Sequence, residues 1–524
     1  MLFRTDRWQR LLTGMGMRPP MYLPLLTLTI YLFWRGYDYA ISDQDEILPY
    51  LFHLLDPSLF QLDWLVNAQL ETFGPRTLWV HIAWIPAILI GPYAAVLCIY
   101  VASWFGTCHA LYLLSLQFTR ERIAATLCVI VAMLMTPQFT LGGNDLVTWI
   151  YTPSMSAWTL SLWGLVFFVR GQTIRSSLLI GIGTWIQALV GLQMATICAI
   201  FILWRHGFHG KRVYLFAGCF SLFALPALGP LIWGQLTLAG FEGAWSYFYV
   251  LFEFRGPHHY IPSAFALESV FKFSFLLGAG LATFRFLPEV HRSLVRRLMI
   301  IIGGLCVLAY ISAEIWPVEV VTKLQLFKLT VLVKVFSVIL LCNAIAKLIL
   351  RFYKHGFSSF FDHGHYALAT TVLLCSMLLL ISPDALGIRP VTESAPEKVA
   401  EWARDSTDVN AVFAVPLGWD HFRSQARRAI VINFKAVPFH SSYMNQWFAR
   451  LMDLAPIDPP HRGGGPIIAQ LDQAFFSLTR QQILDLHIKY GFDYIVTQQE
   501  TMSDEFQLAY QSGPWIVWRI KPVT

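Results

Sequence analysis

The sequence predicts a polytopic α-helical membrane protein of about 11 spans, within a range of roughly 10–13, with a small C-terminal α/β domain. Three observations carry this. The chain is 56% hydrophobic and only 13% charged, where soluble domains average about 25% charged residues, and its mean hydropathy is +0.54. Long apolar runs alternate with short Arg/Lys clusters, which is a topology pattern and not a nucleic-acid footprint. After Pro383 the apolar runs shorten and charges of both signs mix in. The domain reading is therefore 1–383 in the membrane and 384–524 outside it.

In order, Arg4, Arg7, Arg10 and Arg18 hold the N-terminus in the cytoplasm. The run 20–37 has no small-residue cleavage site after it and reads as a retained first span. Basic landmarks at Arg120–Arg122, Arg170–Arg175, Arg205–Arg212, Arg285–Arg297 and Arg351–Lys354 then require an even number of crossings between each pair. The runs 123–137 and 153–169, 176–190 and 191–204, 213–233 and 267–286, and 298–316 and 325–350 satisfy that parity. The interval 76–118 must make one net crossing. Gly91-Pro92 breaks it, so 92–118 is the expected span and 77–90 lies along the outer interface or enters and returns. A last span at 366–383 leaves the C-terminal domain in the periplasm of a bacterial inner-membrane protein.

In that domain, Ser394-Ala-Pro-Glu397 is a capping box opening a helix through Trp402. Residues 411–415, 429–434, 494–497 and 515–520 read as strands. Ser441–Leu454 is helical, and Thr479–Gln482 caps another helix that Gly491 stops. His461-Arg-Gly-Gly-Gly-Pro reads as a flexible loop. The eight cysteines all sit in apolar runs without a C-x-x-C, so no disulfide framework or zinc site is expected. No nucleotide-binding glycine motif or Walker lysine occurs.

The chemistry points to the first outer loop, 38–75. It holds seven acids (Asp38, Asp43, Asp45, Glu46, Asp56, Asp63, Glu71) and no Lys or Arg. Ionised carboxylates are costly in hydrocarbon, so they sit in water or in a polar cavity. Asp43, Asp45 and Glu46 form the expected centre. The topology sends other polar groups to the same face: Asn144-Asp145, the Arg255-Gly-Pro-His258-His259 stretch, Glu314 and Glu319, and Lys323, Lys328 and Lys334. Lys328 and Lys334 lie about 240° apart on a helix, so at most one faces a shared cavity. Such a set suits a transferase acting on a phospholipid-linked donor. A carboxylate takes the proton of an acceptor hydroxyl, and cations or a metal neutralise the phosphate leaving group.

The residues Ser42-Asp-Gln-Asp-Glu-Ile-Leu-Pro49, Leu55-Asp-Pro-Ser-Leu-Phe-Gln-Leu-Asp63-Trp, Tyr151-Thr-Pro-Ser, Arg255-Gly-Pro-His-His, Gln325-Leu-Phe-Lys328 and the stretch from Phe422-Arg through Trp447 resemble the GT-C superfamily. More narrowly, they resemble a bacterial group of it with an outer C-terminal domain. The resemblance implies an integral-membrane glycosyltransferase using a polyprenyl-phosphate-linked sugar donor and a glycan, lipid or protein acceptor. It puts the base at Asp45 first and Asp43 second, with Glu46 beside them, and gives Asp145 the second-loop role. Arg255, His258, His259, Lys328 and Asp63 are then substrate contacts. Asp43 or Asp45, with Asp145, His258 and His259, are the candidates for holding a divalent metal, and these ligand types alone do not specify which. A transporter or flippase, or a structural partner in an envelope assembly, is the alternative. Intramembrane charge in several spans and internal symmetry between halves, which a transporter predicts, are not visible in the sequence.

Overall fold

The computed structural model describes residues 19–208, 210–237, 245–354, 394–500 and 503–521. Ten of the predicted spans coincide with helices. These are Tyr22–Arg35, Pro92–Thr119, Arg122–Leu134, Pro153–Val169, Thr173–Ile186, Ala188–His206, Lys211–Thr237, Leu267–Thr283, Glu289–Tyr310 and Thr330–Lys354. Among the described residues, six helical stretches are long and apolar enough to cross a membrane by themselves. The predicted span 366–383 and the N-terminal arginines fall outside the described residues.

Local sequence sets the boundaries. Pro92 and Pro153 occupy the first helical turn, where a missing N–H costs nothing and φ is already helical. Gly91 stands at φ 80° between Thr77–Ile90 and Pro92–Thr119, a left-handed backbone that Gly adopts without a Cβ penalty. The Thr77–Ile90 helix is 14 residues, about 21 Å, short of the ~30 Å hydrocarbon core. It packs against Leu48–Leu55 and Pro92–Thr119 and leaves Ile85, Ile88, Leu89 and Ile90 exposed.

From residue 394 the chain forms a five-stranded mixed sheet flanked by helices. The strands are β1 (Val412–Ala414), β2 (Ala429–Ile430), β3 (Tyr494–Thr497), β4 (Phe506–Ser512) and β5 (Trp515–Ile520), in the order β2-β1-β3-β5-β4. β1 runs parallel to both neighbours, with Val412 opposite Ala429 and Phe413 opposite Tyr494. β3 and β4 run antiparallel to β5. The capped helices fall where the sequence placed them, at Ala395–Ser406, Ser441–Leu454 and Arg480–Tyr490, with Ser394 N–H donating to Glu397 at 2.8 Å. β4 was not foreseen: its exposed face leaves Gln507 and Leu508 open, so no clean apolar alternation marks it.

Two expectations change on contact with the rest of the molecule. The 429–434 strand shortens to two residues, because Val431 and Phe434 bond instead to Phe413 and Leu417 outside regular pairing. The Gly463-Gly464 loop is not a free loop. Gly463 N–H donates to Glu253 O at 3.0 Å and Gly464 N–H to Phe254 O at 2.7 Å, and a Cβ at Gly463 would lie 2.4 Å from Phe254 O. The glycines allow two backbones to touch. They belong to a larger contact, in which Tyr249, Leu251, Phe252, Phe254 and Tyr260 share one hydrophobic core with Phe434, Trp447, Phe448 and Leu471. The outer loop after Lys211–Thr237 is thus built into the C-terminal domain.

Candidate active site

The partners of Asp43, Asp45, Glu46, Asp56, Asp63 and Glu71 in the first outer loop define the site. Asp56 accepts from Ser58 and Glu71 from Tyr443. The others meet cations supplied mainly from the C-terminal domain.

Asp45 and Asp63 are fully buried and share Arg423. Arg423 Nη1 donates to Asp45 at 3.0 Å and Nε to Asp63 at 2.9 Å. Asp45 also accepts from Ser424 N at 3.1 Å, Ser424 Oγ at 2.8 Å and Asn433 Nδ2 at 2.8 Å. Asp63 accepts from Val66 N, capping Trp64–Glu71, and from Ile430 N. Asp45, with four donors and no exposed surface, has no free lone pair for a substrate proton, and Asp63, with three donors, is closed off from solvent. The geometry therefore moves Asp45, the first choice for the base, and Asp63, a substrate-contact choice, into the joint between loop and domain. Glu46 is likewise buried and pairs with Arg76.

Asp43 is different. Its Oδ1 lies 2.7 Å from Lys435 Nζ, yet 34% of the side chain is accessible, as is 28% of Lys435. Arg76, His259 and Lys435 all act on its charge. Burial raises the carboxyl, but Lys435 and Arg76 outweigh it and hold it well below the usual carboxylate range. Around it gather Arg76, Arg255, His258, His259, Lys328 and Lys435, none of them fully buried. These charged and titratable groups remain within reach of solvent.

Several elements position this ring. Arg255 ends the π-helical turn Tyr249–Arg255. It donates to the Lys435 carbonyl, stacks over Phe434 at 5.0 Å, and leaves its buried Nε–H without a partner. Burial lowers its pKa to about 10, against the pull of Asp43. His258 and His259 follow in the short helix Pro257–Tyr260 with ring centroids 4.0 Å apart. Burial and then the Arg255 charge push His258 down to about 4. Burial and then His258 hold His259 well below its ordinary value. His259 is therefore neutral. Its Nδ1–H donates to the Gly142 carbonyl at 2.6 Å, which leaves Nε2 as an acceptor. Lys328 sits in the turn before Thr330–Lys354, which Gln325 starts from a left-handed backbone at φ 49°. Gln193 fixes that turn by donating to the Leu324 and Gln325 carbonyls.

Asp145 does not join the ring. It is buried and pairs with Lys334 at 2.8 Å, pinning the Gly142–Asp145 loop against the Thr330–Lys354 helix. The same loop carries the Gly142 carbonyl that accepts from His259. Lys328 faces the ring and Lys334 the loop, as their angular separation requires. Glu314 and Glu319 also stay apart, bonding to Ser263 and Lys323.

The metal candidates do not assemble. Asp43 pairs with Lys435, Asp45 is held by Arg423 and Asp145 by Lys334. Among the described residues no three His, Cys, Asp or Glu side chains are grouped to hold a metal ion.

Arg76 escaped the sequence reading, and Arg423 and Lys435 entered it only inside the stretch from Phe422-Arg through Trp447, with no role of their own. Arg76 carried a signal: it is the first base after seven acids, directly behind Gly74-Pro75. Lys435 and Arg423 lie almost 400 residues from their partners, and nothing local marks them.

Residues 395–454, which contain Arg423, Asn433 and Lys435, match a family model described as a domain of unknown function, DUF6798. No curated protein matches the chain. Among solved structures, ArnT from Cupriavidus metallidurans bound to undecaprenyl phosphate superposes with a TM-score of 0.53 at 11% identity, covering 95% of this chain and 97% of that one. Its apo state gives 0.51 over the same shares, also at 11% identity. The Archaeoglobus fulgidus oligosaccharyltransferase tethered to an acceptor peptide gives 0.48 at 11% identity, over 91% of this chain and 68% of that one. Over nearly its whole length this chain is thus a multi-pass membrane protein that shares the fold of ArnT.

Proposed function

We propose that this protein is a glycosyltransferase of the bacterial inner membrane. It moves a sugar from a polyprenyl-phosphate donor to an envelope glycan, lipid or protein on the periplasmic face. The observation that carries the reading is one partly open carboxylate, Asp43, inside a ring of four permanent or near-permanent cations on a GT-C fold. That ArnT was solved with undecaprenyl phosphate on the same fold supports a lipid phosphate as the anion.

In this mechanism Arg255, Lys328, Lys435 and Arg76 bind the donor phosphate, and the unpaired Arg255 Nε–H is a ready donor to it. Beside it the neutral His258 accepts or donates a hydrogen bond and His259 Nε2 accepts one. The acceptor hydroxyl oxygen attacks the anomeric carbon, and the bond from that carbon to the phosphate oxygen breaks. The leaving polyprenyl phosphate keeps the electron pair, stabilised by the cations. Asp43 takes the acceptor proton. Lys435 and Arg76 make the empty-site carboxylate a weak base. A bound phosphate competes for the same cations and raises Asp43 towards a useful basicity, so the base is activated where donor is present.

The test offers the purified protein a panel of polyprenyl-phosphate sugars, with and without divalent metal, and compares Asp43→Asn with Asp45→Asn. Donor turnover abolished by Asp43→Asn in a folded protein supports the reading. Turnover that survives Asp43→Asn removes Asp43 as the base.

A further inference from the structure

An open pocket lies at the far end of the helix bundle, lined by Arg205, His206 and Arg212 together with Phe168, Phe201 and Leu294. Its wall contains no acidic side chain. Arg205 lies 12 residues beyond Gln193 on the Ala188–His206 helix, about 18 Å along the axis. Gln193 braces the Gln325 turn beside Lys328. This pocket therefore opens at the membrane face opposite the Asp43 ring and cannot serve that site. Its wall is largely apolar, Trp204, Tyr214 and Leu215, which neighbour Arg205 and Arg212 in the chain, are exposed, and Arg297 stacks over Trp204 at 5.8 Å.

We infer that this pocket binds an anionic phospholipid, with Arg205 and Arg212 on the headgroup phosphate and the acyl chains along Trp204, Tyr214 and Leu215. Basic pockets between membrane helices select anionic headgroups by charge. Cations that only set topology need neither a pocket nor an apolar wall; here both lie in the same place. A diacyl lipid uses all three features, whereas a free phosphate uses only the cations. The lipid site does not depend on the glycosyltransferase reading, because its test measures binding and stability and not turnover.

The experiment titrates cardiolipin, phosphatidylglycerol, phosphatidylcholine and inorganic phosphate into the full-length protein in detergent. Native mass spectrometry counts bound lipid, and thermal unfolding follows stability. Cardiolipin and phosphatidylglycerol should bind and raise the midpoint, and phosphatidylcholine should not. Each cation near a headgroup contributes about fivefold to affinity, so Arg205→Gln/Arg212→Gln should weaken cardiolipin binding about 30-fold. Arg205→Lys/Arg212→Lys keeps the charge and most of the binding, and stands in if the glutamine variant fails to fold. Arg122→Gln, an exposed cation elsewhere on that face, should change nothing. Equal loss in Arg122→Gln, full binding in the double glutamine variant, or an equal shift from inorganic phosphate alone would each overturn the lipid site.

Discussion

Asp43 and Asp45 are two residues apart in the same turn, and the C-terminal domain answers each with a cation, yet they have opposite characters. Asp45 meets Arg423 in a dry joint where all donors and acceptors but one guanidinium nitrogen are used. Asp43 meets Lys435 at a wall that solvent still reaches. The chemical difference lies in access and spare valence. A buried carboxylate whose oxygens are all taken by donors cannot approach a substrate. A carboxylate with one direct partner and an open side can. The dry joint also makes the open site possible: it clamps the domain onto the loop, and the same domain delivers Lys435.

The largest effect that could break this contrast is on turnover. Asp43→Asn should reduce sugar transfer by about 10²–10⁴-fold with little loss of stability, because a partly exposed ion pair contributes about 0–1 kcal/mol. Steady-state transfer and thermal unfolding on the same preparation check it. If Asp45→Asn instead abolished transfer in a fully stable protein, the roles of the two acids would be reversed.

Arg423→Met should act the other way. It leaves Asp45 and Asp63 buried without their cation, a change that costs about 3–5 kcal/mol when a buried pair is broken. The expected readout is a lowered unfolding midpoint and faster proteolytic release of the C-terminal domain, with transfer falling only as far as the domain detaches. An unchanged midpoint would show that the joint does not hold the domain.

Gly463→Ala tests the second clamp at smaller magnitude. The added methyl would meet Phe254 O, and overpacking of this kind costs about 1–3 kcal/mol. Since Phe254 precedes Arg255, the shift should raise the donor KM more than it lowers kcat. A variant with wild-type KM would mean that the loop contact does not set the position of Arg255.

The membrane architecture was legible because its signals are local and repeated: apolar runs, basic clusters, and Pro or Gly at helix ends such as Pro92 and Gly91. The acidic loop was legible as a place, since seven acids without a base are conspicuous. Its internal assignment was not. Asp43, Asp45 and Glu46 are equivalent by spacing, and what separates them is the identity of the cation each meets after folding. Arg423 and Lys435 arrive from the far end of the chain, with no periodicity linking them to residues 43–46. The pairing of Asp145 with Lys334 was hidden for the same reason, because it is set by helix packing. Arg255, His258, His259 and Lys328 drew notice because polar residues between apolar spans are costly unless used, and that cost is visible without knowing the partner.

The smallest expected effect concerns protons at the ring itself. His258 is held down to about 4 and His259 well below its ordinary value in the folded protein, against about 6.5 in an unfolded chain. Between pH 6.5 and 4 the unfolded chain binds protons that the folded one refuses, so stability must fall as pH falls through that window. Asp43 adds no slope there, because a carboxylate with a lowered pKa loses its contribution only below about pH 4. His421 and His440, also lowered by burial, share the window, so the ring's part is isolated by difference. His258→Asn should flatten the decline between pH 7 and 4.5 by less than about 1 kcal/mol, since solvent reaches this side chain and screens it. A bound polyprenyl phosphate should flatten the wild-type slope too, because an anion beside the imidazoles makes them easier to protonate and stabilises the protonated folded state. If the lipid phosphate left the slope of wild type and His258→Asn equally unchanged, the histidines would not face the phosphate, and the ring would reduce to its four cations around Asp43.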